Sequence, residues 1–110
     1  MSDLIEVVTT CGCQETAQEL ARNLVNERLA ACVQITGPIK SVFRWNNQLS
    51  HEQEWLCTIK STRPLWRDLL RFITEHHPYD VPEILARDVA MSSPSYQDWV
   101  RTQVRAPTEP

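Results

Sequence analysis

Two adjacent histidines, His76 and His77, have the types and spacing that most directly suggest chemistry, and they stand in the segment EHHPYDVPEI. An imidazole can ligate a transition metal at neutral pH. Neighbouring residues of a helix do not face each other, so one metal could use both rings only if the backbone turns there. Pro78 favours such a turn because it biases His77 out of the helical region. Glu83, which follows Pro82, could supply an oxygen ligand.

A purely structural interpretation of the same segment stays open. One histidine would cap the C-terminus of a helix, where its positive form complements the helix dipole, and the other would pack. Glu83 would then be a solvated strand residue or the partner of an arginine.

The four cysteines fall into two groups. Cys11 and Cys13 lie between a predicted strand and a predicted helix, and a helix N-terminus lowers a thiol pKa, so we expect these to be the most reactive thiols. A C-x-C pair also binds soft metals such as Cu(I). Cys32 and Cys57 lie in strand patterns and are predicted to belong to the core. Because no secretion signal is evident, we expect all four to be reduced and unpaired.

Catalysis by one of these thiols is not expected. A Cys-His pair could act as nucleophile and base. However, no third orienting residue is evident in the sequence, and no local signature of a cysteine hydrolase occurs. The residues themselves therefore give little support for thiol catalysis.

Composition excludes several other classes of function. The chain has 110 residues, and we expect one domain over residues 1–105 with a flexible tail over residues 106–110. A net charge of −3 argues against nucleic-acid and acidic-membrane partners, since both need a basic patch. With only two glycines, a phosphate-binding loop and a dinucleotide-binding fingerprint are excluded. No apolar run reaches transmembrane length and no signal peptide is evident, so a cytoplasmic location is expected.

Three segments have the periodicity of amphipathic helices. The first spans residues 16–30, and its apolar face would consist of Ala17, Leu20, Ala21, Leu24, Val25 and Leu29. The second begins at Thr62 as N-terminal cap, with Pro64 in its first turn, and ends before Pro78. Its apolar stripe would consist of Leu65, Trp66, Leu69, Leu70 and Ile73. The third begins with Ser93 as cap, and its apolar side would consist of Tyr96, Trp99 and Val100.

Extended segments alternate with these helices. They are predicted over residues 4–10, 31–45, 54–60 and 81–90. Gly37-Pro38 predicts a bend or bulge in the second of them. Asn46-Asn47 can adopt positive φ and predicts a tight hairpin turn, which makes the central hairpin long for so small a domain. The order β-α-β-β-α-β plus a C-terminal helix predicts an α+β fold of the ferredoxin-like, split βαβ type.

Five blocks of sequence carry a resemblance to a known family. In chain order they are ERLAACVQI, WNNQL, CTIKST, HHPYDVPEILARDV and SYQDWV. In this order and spacing, from about Ile5 to Val104, the chain resembles the CutA family of divalent-cation-tolerance proteins. The resemblance implies a tight homotrimer of ferredoxin-like subunits, in which the long strands and the C-terminal segment extend sheets with neighbouring subunits. It implies no enzymatic activity.

The resemblance also implies a metal site. The family is associated with tolerance of copper and other divalent ions, and copper binding is ascribed to a cysteine near the end of the first strand together with the histidine pair. Carried onto this chain, the ligands are Cys11, His76 and His77, with Glu83 as an additional candidate and zinc as an alternative metal. Cys13 is an extra thiol. The chain departs from the family at Gly12, where many members have proline.

The hairpin turn is a second departure from the family. Members commonly have Trp-x-Gly-Lys where this chain has Trp45-Asn46-Asn47-Gln48. Asn47 tolerates positive φ, so we expect the turn to be kept.

An alternative function belongs to a different class. Trimeric ferredoxin-like signalling proteins bind small ligands in the clefts between subunits. In a similar cleft of this protein, His77, Tyr79 and Glu83 could line a ligand site, and the HHPY segment would then be structural.

Overall fold

A computed structural model describes residues 3–108, which form an α+β fold of one four-stranded antiparallel sheet and three α-helices. The strands are β1 (Leu4–Cys11), β2 (Cys32–Trp45), β3 (Gln48–Thr62) and β4 (Leu85–Asp88). The helices are α1 (Gln14–Asn26), α2 (Trp66–His76) and α3 (Pro94–Gln103), and a 3-10 turn at Arg63–Leu65 leads into α2. The α+β class predicted from the sequence is confirmed.

The sheet has the strand order β2-β3-β1-β4, and every pairing is antiparallel. β1 pairs along its whole length with β3, from Leu4 opposite Thr62 to Cys11 opposite Trp55. It pairs with β4 only over its first half, from Ile5 to Val8. Within residues 3–108, the second half of β1 therefore has one edge free of strand pairing, and this edge positions the site described below.

The main core lies between the sheet and helices α1 and α2. Apolar side chains of β1 and β3 pack against one face of each helix, as the helical periodicity predicts. The fully buried members include Val7, Leu24, Ile59, Leu69 and Ile73. A smaller cluster of Leu4, Ala31 and Val100 anchors α3.

The predicted apolar faces are too wide. Val25, Leu70, Tyr96 and Trp99 are all exposed, and Leu29 is buried but lies beyond the end of α1. A chain of this size offers a helix only a narrow contact with the sheet, so residues at the margin of the apolar stripe stay in solvent.

The central hairpin is the longest feature of the fold. Asn46 and Asn47 have φ values of 51° and 64° and form a two-residue turn, so the predicted turn is confirmed. A register shift between Thr36 and Ile39 confirms the predicted irregularity at Gly37-Pro38. β3 is much longer than predicted. Its first residues are polar and were therefore not recognised as strand, but they continue the pairing with β2 out into solvent.

Two further predictions of local structure need correction. β4 is shorter than the predicted strand over residues 81–90, and Glu83 lies in the loop before it. Pro82 has no N–H to donate and restricts the residue before it, so pairing begins only at Leu85. Thr62 makes no side-chain capping bond, whereas Ser93 Oγ accepts a hydrogen bond from the backbone N–H of Tyr96 at 3.3 Å, as predicted.

The chain ends are partly described. The backbone N–H of Thr108 donates to the Asp68 carboxylate at 2.8 Å, so this part of the predicted tail lies against α2. Residues 1–2, which fall in the predicted domain, and residues 109–110, which fall in the predicted tail, lie outside the described residues. Over residues 3–108, no helix is long and apolar enough to cross a membrane.

Candidate functional site

His77 ties the loop after α2 to the free edge of β1. It is extended (φ −90°, ψ 136°), as Pro78 predicts, and only 8% exposed. Its Nε2–H donates to the Thr10 carbonyl at 2.7 Å, beyond the point where β4 stops pairing with β1. Its Nδ1 accepts a hydrogen bond from the backbone N–H of Tyr79 at 3.1 Å. Both ring nitrogens therefore hold backbone groups, and together they define a neutral imidazole with its proton on Nε2.

His76 lies in a different environment. It is the last residue of α2 and is exposed. Its Nδ1 donates to the Phe72 carbonyl at 2.8 Å, and its ring stacks on the Phe72 ring with centroids 4.0 Å apart. Its Nε2 has no partner among residues 3–108. The two adjacent histidines thus do not converge on one point.

Cys11 is brought next to His77. Its sulfur lies 3.9 Å from His77 Nε2, and the side chain is completely buried. Cys57 is also completely buried, and its Sγ–H donates to the Ala17 carbonyl at 4.0 Å. Its contact with Cys11 lowers the pKa of the Cys11 thiol, while burial opposes this shift. The same contact and burial raise the pKa of Cys57 above its usual range. Of the two buried thiols, Cys11 is thus the one whose pKa is lowered and Cys57 the one whose pKa is raised.

The four cysteines agree with their predictions only in part. Cys11 is not the accessible, reactive thiol that its place before a helix suggests, because it is still part of β1 and is covered. Cys13 is exposed and its sulfur lies 3.1 Å from Thr16 Oγ1. Cys32 is only partly buried, whereas Cys57 is a core residue as predicted. All four are free.

Tyr79 extends the network from His77 to β3. Its hydroxyl donates to Glu54 Oε2 at 2.8 Å, and Glu54 is only 6% exposed. Burial and the Glu54 carboxylate raise the pKa of Tyr79 well above its usual range. A Cβ atom at Gly12 would lie 3.0 Å from the Tyr79 hydroxyl, so glycine at this position leaves room for the Tyr79 ring.

A cavity of about 650 Å³ opens beside this network. It lies between the outer part of the hairpin and the loop that contains Tyr79 and Glu83. Glu83 is exposed and lines the cavity, and no contact within residues 3–108 joins it to Cys11 or Cys57. Over residues 3–108, no three histidine, cysteine or acidic side chains converge closely enough to hold a metal ion.

Of the four predicted ligands, the structure therefore brings together Cys11 and His77 and leaves His76 and Glu83 apart. Sequence reasoning missed Cys57 and Glu54. Both lie on β3. The register between β1 and β3 places Cys57 beside Cys11, and the loop after α2 brings the Tyr79 hydroxyl to Glu54. For Glu54, the available signal was a glutamate at the start of the apolar strand EWLCTIK, because a glutamate in a buried strand needs a partner.

Fold and site together define an α+β protein in which the interior strand β1 ends at a buried cysteine, Cys11, that lies beside a buried histidine from the loop after α2. The family model described as CutA1 divalent ion tolerance protein matches residues 5–103. The divalent-cation tolerance protein CutA of Thermus thermophilus is 39% identical over 95 residues, which cover 86% of this chain and 92% of the relative. The chain belongs to the CutA family.

Other relatives and solved structures agree. The human protein CutA is 37% identical over 92 residues, and the match covers 84% of this chain but only 51% of the human protein. The chain thus spans about half the length of that relative. The crystal structure of CutA from Xylella fastidiosa superimposes with a TM-score of 0.92 at 32% identity, over 94% of this chain and 100% of that one. The Thermus thermophilus structure gives a TM-score of 0.90 at 36% identity, over 93% of this chain and 99% of that one.

Proposed function

We propose that this protein contributes to the tolerance of divalent cations by binding a soft metal ion, copper above all or else zinc, and that it acts by binding and not by catalysis. Family membership supports the first part, since the Thermus thermophilus relative is named a divalent-cation tolerance protein. The pairing of Cys11 with His77 is the observation that supports binding of a soft metal ion. A cytoplasmic location is part of the same proposal.

The Cys11–His77 pair fits a metal of this kind. With bonds of roughly 2.3 Å to sulfur and 2.0 Å to nitrogen, two ligands of a tetrahedral zinc site stand about 3.5 Å apart. The observed separation of 3.9 Å is close to that value. Thiolate and imidazole prefer copper or zinc to magnesium or calcium, and the contact with Cys57 favours the thiolate form of Cys11.

Metal binding at this pair requires a local movement. His77 can ligate through Nε2 only if its proton moves to Nδ1, because a metal needs the lone pair. That proton would then face the N–H of Tyr79, which is itself a donor. The segment from His77 to Tyr79 must therefore shift as the metal enters.

A homotrimer of ferredoxin-like subunits is the proposed assembly. Both edge strands of the sheet, β2 and β4, have an edge unpaired within residues 3–108, and such edges are normally covered. Apolar side chains on them are exposed, among them Leu85 at 59% and Trp45 at 49%. Light scattering should give three times the subunit mass at micromolar concentration, and a monomer would overturn this part.

Tolerance itself is tested in a host from which its own family member has been deleted. Expression of the wild-type chain should restore growth in copper-supplemented medium, and the Cys11→Ser variant, expressed at the same level, should not. Equal growth with the wild type and with Cys11→Ser would mean that tolerance does not depend on the proposed Cys11–His77 metal pair. No restoration by the wild type would overturn the function itself.

The second candidate is a regulatory protein that binds a small ligand in a cleft, with HHPY as a structural segment. Two observations favour it. Both nitrogens of His77 are engaged by the backbone, as a structural histidine requires, and a cavity lies beside Tyr79 and Glu83.

A further inference from the structure

Three completely buried polar side chains share one face of the sheet. Thr9 and Cys11 lie two residues apart on β1, and Cys57 of β3 lies directly opposite Thr9 and diagonally across from Cys11. The Sγ–H of Cys57 donates to the Ala17 carbonyl of α1 at 4.0 Å, so this is the face that the helices cover. The cluster of Thr9, Cys11 and Cys57 therefore lies inside one subunit, away from the sheet edges at which the proposed trimer would assemble.

The two thiols of this cluster are in contact but are poorly placed for a disulfide. Diagonal neighbours of an antiparallel pair have Cα atoms about 7–8 Å apart, whereas a disulfide normally joins Cα atoms no more than about 6.8 Å apart. Both cysteines are free, as this separation leads one to expect. A metal ion between two sulfurs adds the length of a second bond, so the same placement suits two thiolates that share one metal.

The Thr9 hydroxyl is a second, independent observation at the same place. Its Oγ1 has no hydrogen-bond partner among residues 3–108, although the side chain is completely buried. A buried hydroxyl without a partner is costly, and each such group calls for an explanation. A thiolate of the neighbouring cysteines would accept the hydrogen bond that this hydroxyl lacks, whereas a thiol is only a weak acceptor.

His77 approaches the cluster from the other side of Cys11. Its Nε2 lies 3.9 Å from the Cys11 sulfur and carries the proton that is donated to the Thr10 carbonyl. The same N–H would stabilise a negative charge on that sulfur, as outer-shell donors do at metal sites. In this role the histidine keeps its proton and both of its backbone hydrogen bonds, so the segment that follows it does not have to move.

We propose that Cys11 and Cys57 bind Cu(I), the reduced form of copper, as a two-coordinate site. Thr9 and His77 donate hydrogen bonds to the two thiolates and are positioning residues. Thiolates select Cu(I), and two ligands suffice for this ion, in keeping with the finding that no three ligands converge within residues 3–108. On binding, Cu(I) replaces the proton of each thiol, so two protons are released and the site carries one negative charge. The inference rests on the proposed binding of a soft metal ion and names its oxidation state and second ligand.

The test is a competition titration of the full-length protein against the chromophoric Cu(I) chelator bicinchoninate, in anaerobic buffer with ascorbate so that copper stays monovalent. Cys57→Val removes one sulfur and keeps a small apolar side chain that suits a buried strand. Cys32→Val makes the same change at the partly buried cysteine of β2 and is the matched control. Thr9→Val removes only the hydroxyl. Circular dichroism shows whether each variant is folded, and X-ray absorption of the wild-type Cu(I) form identifies the ligand atoms even if Cys57→Val does not fold.

We expect the wild type to bind one Cu(I) per subunit with two sulfur ligands and the release of two protons. Cys57→Val should raise the dissociation constant more than about a hundredfold, because loss of a ligand should exceed the 10- to 100-fold effect of losing an outer-shell partner. Thr9→Val should raise it about tenfold, as for such a partner. Cys32→Val should leave it unchanged.

Three results would overturn the inference. The first is Cu(I) binding by a folded Cys57→Val variant that is as tight as in the wild type. The second is a Cu(I) site with one sulfur and one nitrogen ligand, which would assign the ion to Cys11 and His77. The third is no Cu(I) binding by the wild type. The first two would leave the Cys11–His77 pair standing, and a failure to restore copper tolerance in cells would leave this titration unaffected, so the inference and the proposed function fail separately.

Discussion

Replacing His77 by alanine should destabilise the protein far more than replacing its neighbour His76. The alanine variant loses the bond to the Thr10 carbonyl and the acceptor for the Tyr79 N–H. At about 1 kcal/mol each, these bonds contribute about 2 kcal/mol. The loss of a buried ring adds about 1 kcal/mol, so we expect a total of about 3 kcal/mol.

His76→Ala is the matched control, because the side chain is exposed and its one hydrogen bond lies within α2. We expect a loss of less than about 1 kcal/mol. His77→Asn keeps an acceptor near Nδ1 and His77→Gln keeps a donor near Nε2, so both should lie between the wild type and His77→Ala.

The assay is equilibrium unfolding in guanidinium chloride, followed by far-ultraviolet circular dichroism. All variants are compared at one protein concentration and without metal, because association and ligands shift the apparent stability. Equal losses for His77→Ala and His76→Ala would refute the reasoning, since they would mean that the two ring hydrogen bonds of His77 contribute nothing to the fold.

Three further predictions concern other contacts of the site and the hairpin. Tyr79→Phe should cost about 1–2 kcal/mol in the same unfolding assay, because it removes the only hydrogen-bond donor that Glu54 has among residues 3–108. Gly37→Ala should cost about 1–3 kcal/mol, because a Cβ atom there would overlap the Trp55 ring, which would have to move. Iodoacetamide should label Cys13 rapidly in the folded protein, and the two fully buried cysteines only after unfolding, as peptide mass spectrometry would show.

Matched controls exist for the two substitutions. Tyr96→Phe changes an exposed ring whose hydroxyl has no partner among residues 3–108, so its stability should be unchanged. Gly12→Ala meets only the hydroxyl end of Tyr79 at 3.0 Å and should cost less than Gly37→Ala. The Tyr79–Glu54 contact would be contradicted by a Tyr79→Phe variant as stable as Tyr96→Phe. The close approach of Trp55 to Gly37 would be contradicted by a Gly37→Ala variant of unchanged stability. The burial of Cys11 would be contradicted by its rapid labelling in the folded state.

The parts of the structure that depend on local chemistry were predictable from the sequence. Asn46-Asn47 determine their own turn, because few other residues adopt positive φ so readily. Pro78 ends α2 by its missing N–H and places His77 in an extended conformation. Ser93 caps α3 through a bond to a residue three positions away.

The parts that depend on long-range register were not predictable. Cys57 meets Cys11 only because β1 and β3 pair with Cys11 opposite Trp55. His77 reaches the Thr10 carbonyl only because β4 is short and leaves that edge of β1 free. The adjacency of His76 and His77 in the sequence suggested a shared role, but the end of the helix falls between them and separates their environments.

The most direct test of the account is a calorimetric titration of copper and zinc into the wild type, Cys11→Ser, His77→Gln and His76→Ala, with mass and circular dichroism checked for each. The account predicts tight, saturable binding by the wild type and loss of it in Cys11→Ser and His77→Gln. His76→Ala should retain most of the affinity. Binding that survives unchanged in a folded Cys11→Ser variant would contradict the proposed metal pair.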